Sequence, residues 1–182
     1  EETRVTDAAS AARLVGFVSA YLQYLQIPVE SVLDLGCGVG LWRDALADLR
    51  PDVSYRGVEN ADHACERYGW ERGSVVDYDG EPADLVVCQG VLHYLSAADA
   101  ARAIETLARM TEGALYLEAL TRADWEDTVD QALTDKPRPL RTGDWYARRL
   151  RPHFRALGGG LFVPRESDVA LFEFEAPEFF AG

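Results

Sequence analysis

Short apolar runs alternate along the chain with stretches in which apolar residues recur every three or four positions. Leu14, Val15, Val18, Tyr21, Leu22 and Leu25 form one helical stripe, and Pro28 stops that helix ahead of the first strand. The strand lies within residues 32–40, VLDLGCGVG, where apolar residues around Asp34 run into glycines at 36, 38 and 40. A second helix opens at Leu41, carries Trp42, Ala45, Leu46 and Leu49, and ends before Pro51. Residues 54–59 predict a second strand, with Asn60 as N-cap of the next helix. A third strand is expected near residues 73–76, followed at 77–83 by a loop or single turn too short for a crossover helix. Residues 84–88 give the fourth strand. Ser96 with Asp99 resembles a capping box, opening a helix with Ala103, Ile104, Leu107 and Ala108 on one face. Gly113 closes it, and residues 114–120 make the fifth strand. This alternation is the signature of a doubly wound, parallel α/β sheet.

Beyond Leu120 the pattern changes. Trp125, Val129, Ala132 and Leu133 form an apolar stripe, while Asp124, Asp127 and Asp130 occupy a solvated face. Residues 135–139 break the chain, and Thr142 or Asp144 caps a helix that Pro152 halts. On it Tyr146 and Leu150, continued by Phe154, face the core, whereas Arg148, Arg151 and Arg155 share a solvated side. Residues 156–163 and 169–175 read as two closing strands joined by 164–168.

At 182 residues and 48% hydrophobic the chain fits one domain with a core that needs no disulfides. Its three cysteines, at 37, 65 and 88, are too widely spaced for a metal site and read as reduced thiols of a cytoplasmic protein. No apolar run spans a bilayer. The chain begins at Glu1 rather than Met, so a native N-terminal segment is expected to precede it. A net charge of −13 disfavours nucleic acid as a partner, since phosphate binding calls for a basic surface.

The glycine loop carries the chemistry. Glycines at the end of a buried strand let the backbone approach a ligand closely. The spacing here is G-x-G-x-G, and Leu41 stands where the dinucleotide fingerprint needs its third glycine. Glu59 ends the second strand about 20 residues past the loop, placed to accept bonds from ribose hydroxyls.

These stretches resemble motif I of the class I, seven-stranded, Rossmann-like S-adenosylmethionine-dependent methyltransferases. Residues 84–95, DLVVCQGVLHYL, resemble motif IV and its following turn. The resemblance covers residues 30–120 well and implies a sheet of order 3-2-1-4-5-7-6 with helices on both faces. It implies that S-adenosylmethionine is held by Asp34, Gly36, Cys37, Gly38, Glu59, Asn60, Ser74, Val75 and Gln89. Gln89 and Gly90 would flank its methionine part and Leu92 its adenine. Ser74 replaces the acid usual in the family, which leaves Ser74 or Asp77 to contact the adenine amino group.

On this reading residues 1–30 are an N-terminal helical region, 31–120 the cofactor-binding core, 121–155 a substrate cap and 156–182 the closing strands of one domain, 1–182. His93 is the candidate general base, with a packing role as the competing assignment. Tyr21, Tyr24, His93, Tyr94, Trp125 and Trp145 are candidate pocket walls. Arg141, Trp145 and Arg149 form a set suited to an anionic or planar substrate, or else ordinary surface arginines. A small-molecule methyl acceptor is expected; a homodimer is compatible with the apolar Phe179 and Phe180. Two other functions use the same loop. One is a non-catalytic binder of S-adenosylmethionine or S-adenosylhomocysteine acting through a protein partner; the other is an NAD-dependent oxidoreductase, which the missing third glycine disfavours.

Overall fold

The computed structural model describes residues 7–129, 131 and 139–175. Seven strands make one sheet: β1 (Ser31–Leu35), β2 (Ser54–Glu59), β3 (Glu71–Arg72), β4 (Ala83–Gln89), β5 (Thr111–Glu118), β6 (Phe154–Gly158) and β7 (Leu161–Pro164). Their order is β3-β2-β1-β4-β5-β7-β6. All pairings are parallel except β5–β7 and β6–β7, so an antiparallel hairpin closes one edge.

Helix α1 (Ala8–Tyr24) begins where the Asp7 side chain accepts the Ser10 N–H at 2.7 Å. Its buried Ala11, Val15, Val18 and Leu22 pack on the sheet face that also receives α2 (Leu41–Leu49). The opposite face is covered by α4 (Ala97–Met110), capped by Ser96 as expected, through Ala103, Ile104 and Leu107. Strands β1 and β4 are nearly continuous apolar runs because both of their faces are covered. Three shorter helices are α3 (Asp62–Tyr68), α5 (Arg122–Asp127) and α6 (Gly143–Leu150). Thr142 rather than Asp144 caps α6.

Several boundaries differ from the sequence reading. Strand β3 is two residues at 71–72, and residues 73–76, expected as strand, turn instead. The N–H groups of Asp77 and Tyr78 both donate to Ser74 O there. Gly113 does not close α4 but lies inside β5, where a Cβ would sit 2.7 Å from Asp84 O. Residues 156–163, read as one strand, contain the hairpin turn, because Gly158, Gly159 and Gly160 all take positive φ. The segment 169–175, read as its partner, is no strand; the Arg155 guanidinium, expected in solvent, ties it down through Ser167 O and Val169 O. Asp130, Ala132, Leu133, most of the 135–139 breaker, Phe179 and Phe180 lie outside the described residues. Among those described, no helix is long and apolar enough to cross a membrane.

Candidate functional site

Strands β1, β2 and β4 end at a cavity of about 300 Å³ lined by Gly36, Glu59, Asn60, Ser74, Val75, Gln89, Gly90, Val91, Tyr94 and Leu95. Gly36 and Cys37 donate their N–H groups to Val58 O at 2.8 and 3.2 Å, tying the loop to β2. Gly36 has φ +90°, and a Cβ on it would fall 2.3 Å from Val91 Cγ2. Only a glycine leaves the space between loop and Val91 open.

Glu59 organises the floor. Its Oε2 accepts the Gly38 N–H at 3.0 Å, and its Oε1 accepts those of Asn60 and Ala61 at 2.8 and 3.2 Å. This corrects the expectation for Asn60. The N-cap of α3 is Ala61, and the Glu59 carboxylate, not the Asn60 side chain, satisfies the N–H groups there. Asn60 stays exposed at the cavity rim.

Asp34 lies behind the loop rather than in the cavity, 3% exposed, where its Oδ2 accepts the Tyr55 hydroxyl at 2.7 Å. Burial pushes its carboxyl up to about 7, and the nearby negative Glu59 adds to that, against the Tyr55 hydrogen bond. Cys37 is likewise buried, its thiol pushed up first by burial and then by Asp34 and Glu59. The sequence reading missed Trp70. Its Nε1 donates to Gly38 O at 2.8 Å, and its ring fills the space above Gly40 and Gly57, where a Cβ would come within 2.7 Å of it. Gly57, a glycine inside a strand, was the available signal for such a close approach.

Ser74 lines the cavity, with its hydroxyl accepting the Val76 N–H at 3.2 Å. Asp77 points away, exposed and 4.0 Å from Arg102. Leu92, expected against the adenine, is wholly buried in the core at the start of the 3-10 turn Leu92–Tyr94; its neighbour Val91 forms the wall instead. Gln89 is held from both sides: Trp42 Nε1 donates to its Oε1 at 2.8 Å, and its Nε2 donates to Glu118 Oε2 at 3.4 Å.

His93 is 2% exposed, and its Nδ1 accepts the Leu120 N–H at 3.2 Å. The neutral ring therefore carries its proton on Nε2 and has no lone pair left to act as a base. Burial, with the Arg141 charge beside it, lowers its pKa to about 4, so it stays neutral at physiological pH. The geometry corrects the general-base assignment to a packing one.

Arg141 is 5% exposed and spends its guanidinium inside the protein, on Leu92 O at 2.9 Å, Tyr146 Oη at 3.0 Å and Leu95 O. It is thus a strut for the 3-10 turn and not an open anion contact. Trp145 does meet both arginines, with the Arg149 and Arg141 guanidinium carbons 3.8 and 4.9 Å from its ring. Tyr94 borders the cavity, but Trp125 is buried away from its wall. Tyr21 turns its hydroxyl to Leu157 O at 3.4 Å and stacks between Phe17 and Tyr24. Tyr24 lines a separate cavity of about 740 Å³ beside Asp84 and Glu112, at the opposite ends of the strands. These two tyrosines are not brought to the cleft.

The same architecture recurs in solved structures. The sugar N-methyltransferase KedS8 from Streptoalloteichus sp ATCC 53650 superposes with TM-score 0.63 at 21% identity, over 88% of this chain and 89% of its own. The amino pentose methyltransferase CalS10 from Micromonospora echinaspora, solved with S-adenosylmethionine bound, gives TM-score 0.63 at 17% identity over 90% and 98%. A curated relative, the trans-aconitate 2-methyltransferase of Pseudomonas paraeruginosa (strain DSM 24068 / PA7), is 32% identical over 36% of this chain. That match spans only 27% of the relative's length. Residues 7–158 match the family described as a methyltransferase domain, most of the chain, and the protein belongs to that family in its class I, seven-stranded form.

Proposed function

We propose that the chain transfers a methyl group from S-adenosylmethionine to a small-molecule acceptor. The observation that carries this is the Glu59 carboxylate set at the cavity floor beside a loop only glycine can form. A carboxylate has about four acceptor positions. Three of those on Glu59 hold backbone N–H groups, which leaves one for a ribose hydroxyl. Val75, Val91 and Leu95 supply apolar walls for a purine, with Ser74 as the polar group among them. Gln89, locked by Trp42 and Glu118, would orient the methionine end.

When bound, the cofactor supplies an already electrophilic methyl carbon. The chain's own contribution is then chiefly orientation: Glu59 and the glycine loop fix one end and Gln89 the other, so the acceptor meets the methyl group in line. No step needs His93. The relatives' acceptors, named as sugars and trans-aconitate, support a small molecule over a macromolecule.

Calorimetric titration tests the reading. S-adenosylmethionine and S-adenosylhomocysteine should bind the wild type at micromolar levels and NAD should not, and Glu59→Ala should lose both. Binding of NAD alone would overturn it.

A further inference from the structure

We infer that Glu118 is the acceptor-binding carboxylate of the cleft and that the acceptor is an amine, an inference that rests on the methyl transfer proposed above. Val75, Val91, Leu95 and Gln89 line the cavity, while Trp42, Tyr116 and Glu118 lie beyond its lining, next to Gln89 or its partners. Val75, Val91 and Leu95 belong to the packing cluster under α4, on one sheet face. Trp42 and Tyr116 belong to the cluster under α1 and α2, on the other. On that second face a polar chain runs along the carboxyl ends of β4 and β5: Trp42 Nε1 to Gln89, Gln89 Nε2 to Glu118 Oε2 at 3.4 Å, and Tyr116 Oη to the same oxygen at 3.2 Å. Glu118 is half-buried and stands directly opposite Gln89 in the β4–β5 register. Among the described residues its carboxylate meets only neutral donors, and Oε1 accepts from none of them. Neither of its two donors, Gln89 Nε2 and Tyr116 Oη, is a cation.

The charge decides the class of acceptor. A carboxylate substrate held against Gln89 would be repelled by the Glu118 carboxylate bonded to that amide. The buried cation that could offset this, Arg141, is committed to Leu92 O and Leu95 O. An aliphatic alcohol is too weak an acid for a carboxylate to deprotonate. An ammonium group, charged below a pKa near 10, is drawn to the Glu118 carboxylate and frees a nucleophilic lone pair when its proton is lost to water. That proton leaves to solvent before the nitrogen attacks. The freed nitrogen lone pair then forms the N–C bond to the methyl carbon as the C–S bond breaks, its electron pair remaining on sulfur. The product is a methylated ammonium, again attracted to Glu118.

The test has two arms, run on wild type and Glu118→Gln. Calorimetry with S-adenosylhomocysteine establishes that the cofactor site is intact; failure in both proteins would strike the methyltransferase reading itself. Release of S-adenosylhomocysteine is then scored on matched panels of amines, carboxylic acids and alcohols. Turnover should concentrate among amines. Glu118→Gln should lower kcat/KM on them about tenfold or more, the loss expected for a hydrogen bond to a charged group, and move the pH profile of the remaining rate towards that of the free amine. With cofactor bound, turnover confined to acids or alcohols, no turnover on any amine, or amine turnover indifferent to Glu118→Gln would each overturn the inference.

Discussion

Asp34 and His93, both buried near the cleft, load the pH dependence of stability in opposite directions. In the native protein the Asp34 carboxyl is pushed from 3.8 up to about 7, chiefly by burial, which corresponds to about 4 kcal/mol between its two protonation states. Between those values native Asp34 keeps a proton that the unfolded chain has released, so its contribution to stability falls as pH rises. His93 does the reverse. Burial lowers it from 6.5 to about 4, corresponding to about 3 kcal/mol, and across that window the unfolded chain binds a proton the native ring does not. Its contribution therefore grows as pH rises from about 4 to 6.5 and is lost on acidification.

Over the shared window the two slopes oppose each other, and single substitutions should separate them. Urea unfolding followed by tryptophan fluorescence at pH 4.5, 5.5, 6.5 and 7.5 measures the effect, read as variant minus wild type so that the many exposed acids cancel. Asp34→Asn, which keeps an acceptor for the Tyr55 hydroxyl, should gain on wild type as pH rises, by roughly 2–4 kcal/mol across the series. His93→Gln should lose ground over the same rise, by roughly 2–3 kcal/mol, whatever its offset from repacking. Difference curves that stay flat with pH would refute the burial argument for that residue.

Three further outcomes follow from contacts around the loop. Gly36→Ala combines a positive φ with a Cβ 2.3 Å from Val91 Cγ2, and should cost roughly 2–4 kcal/mol in chemical denaturation; adding Val91→Ala should recover part of that, so strict additivity would exclude the clash. Trp70→Phe keeps a ring over Gly40 and Gly57 but drops the bond to Gly38 O, so S-adenosylhomocysteine affinity should fall about tenfold with a stability loss near 1 kcal/mol. Arg141→Lys cannot reach Leu92 O, Leu95 O and Tyr146 Oη together; faster hydrogen exchange at 92–95 and a stability loss of about 2–3 kcal/mol are expected, and unchanged exchange would contradict its role as a strut.

Much of this fold could be read from local pattern because its central strands are buried on both faces. Residues 32–35 and 84–88 announce β1 and β4 largely by apolar content. The edges resisted for the opposite reason. Strand β3 is two exposed residues with no hydrophobic signature, and the β6–β7 turn hides inside an apolar stretch whose only punctuation is Gly158–Gly160. Of the cavity residues, Gly36 and Glu59 were recoverable because ligand-facing loops follow strand ends at fixed places, and Ser74, Val75 and Gln89 through the family resemblance. Arg141 was misread for a physical reason: an arginine beside an aromatic looks alike in sequence whether its donors face a ligand or three protein oxygens.

The two halves of the cleft therefore differ in how they are specified. The cofactor side is built from short sequence segments, since Gly36, Gly38 and Glu59 are brought together by one β–α–β unit and a single parallel register. Even there, the loop is anchored from outside the glycines by Trp70, which donates to Gly38 O. The acceptor side has no such local unit. Trp42, Gln89, Tyr116 and Glu118 come from α2, β4 and β5, and their contact exists only after the sheet has aligned Gln89 with Glu118. Substitutions on β5 can therefore change the charge offered to an acceptor while leaving the glycine loop and Glu59 as they are. A cofactor site held by one supersecondary unit, next to the proposed acceptor site assembled from separate strands, would let acceptor preference vary on a constant fold.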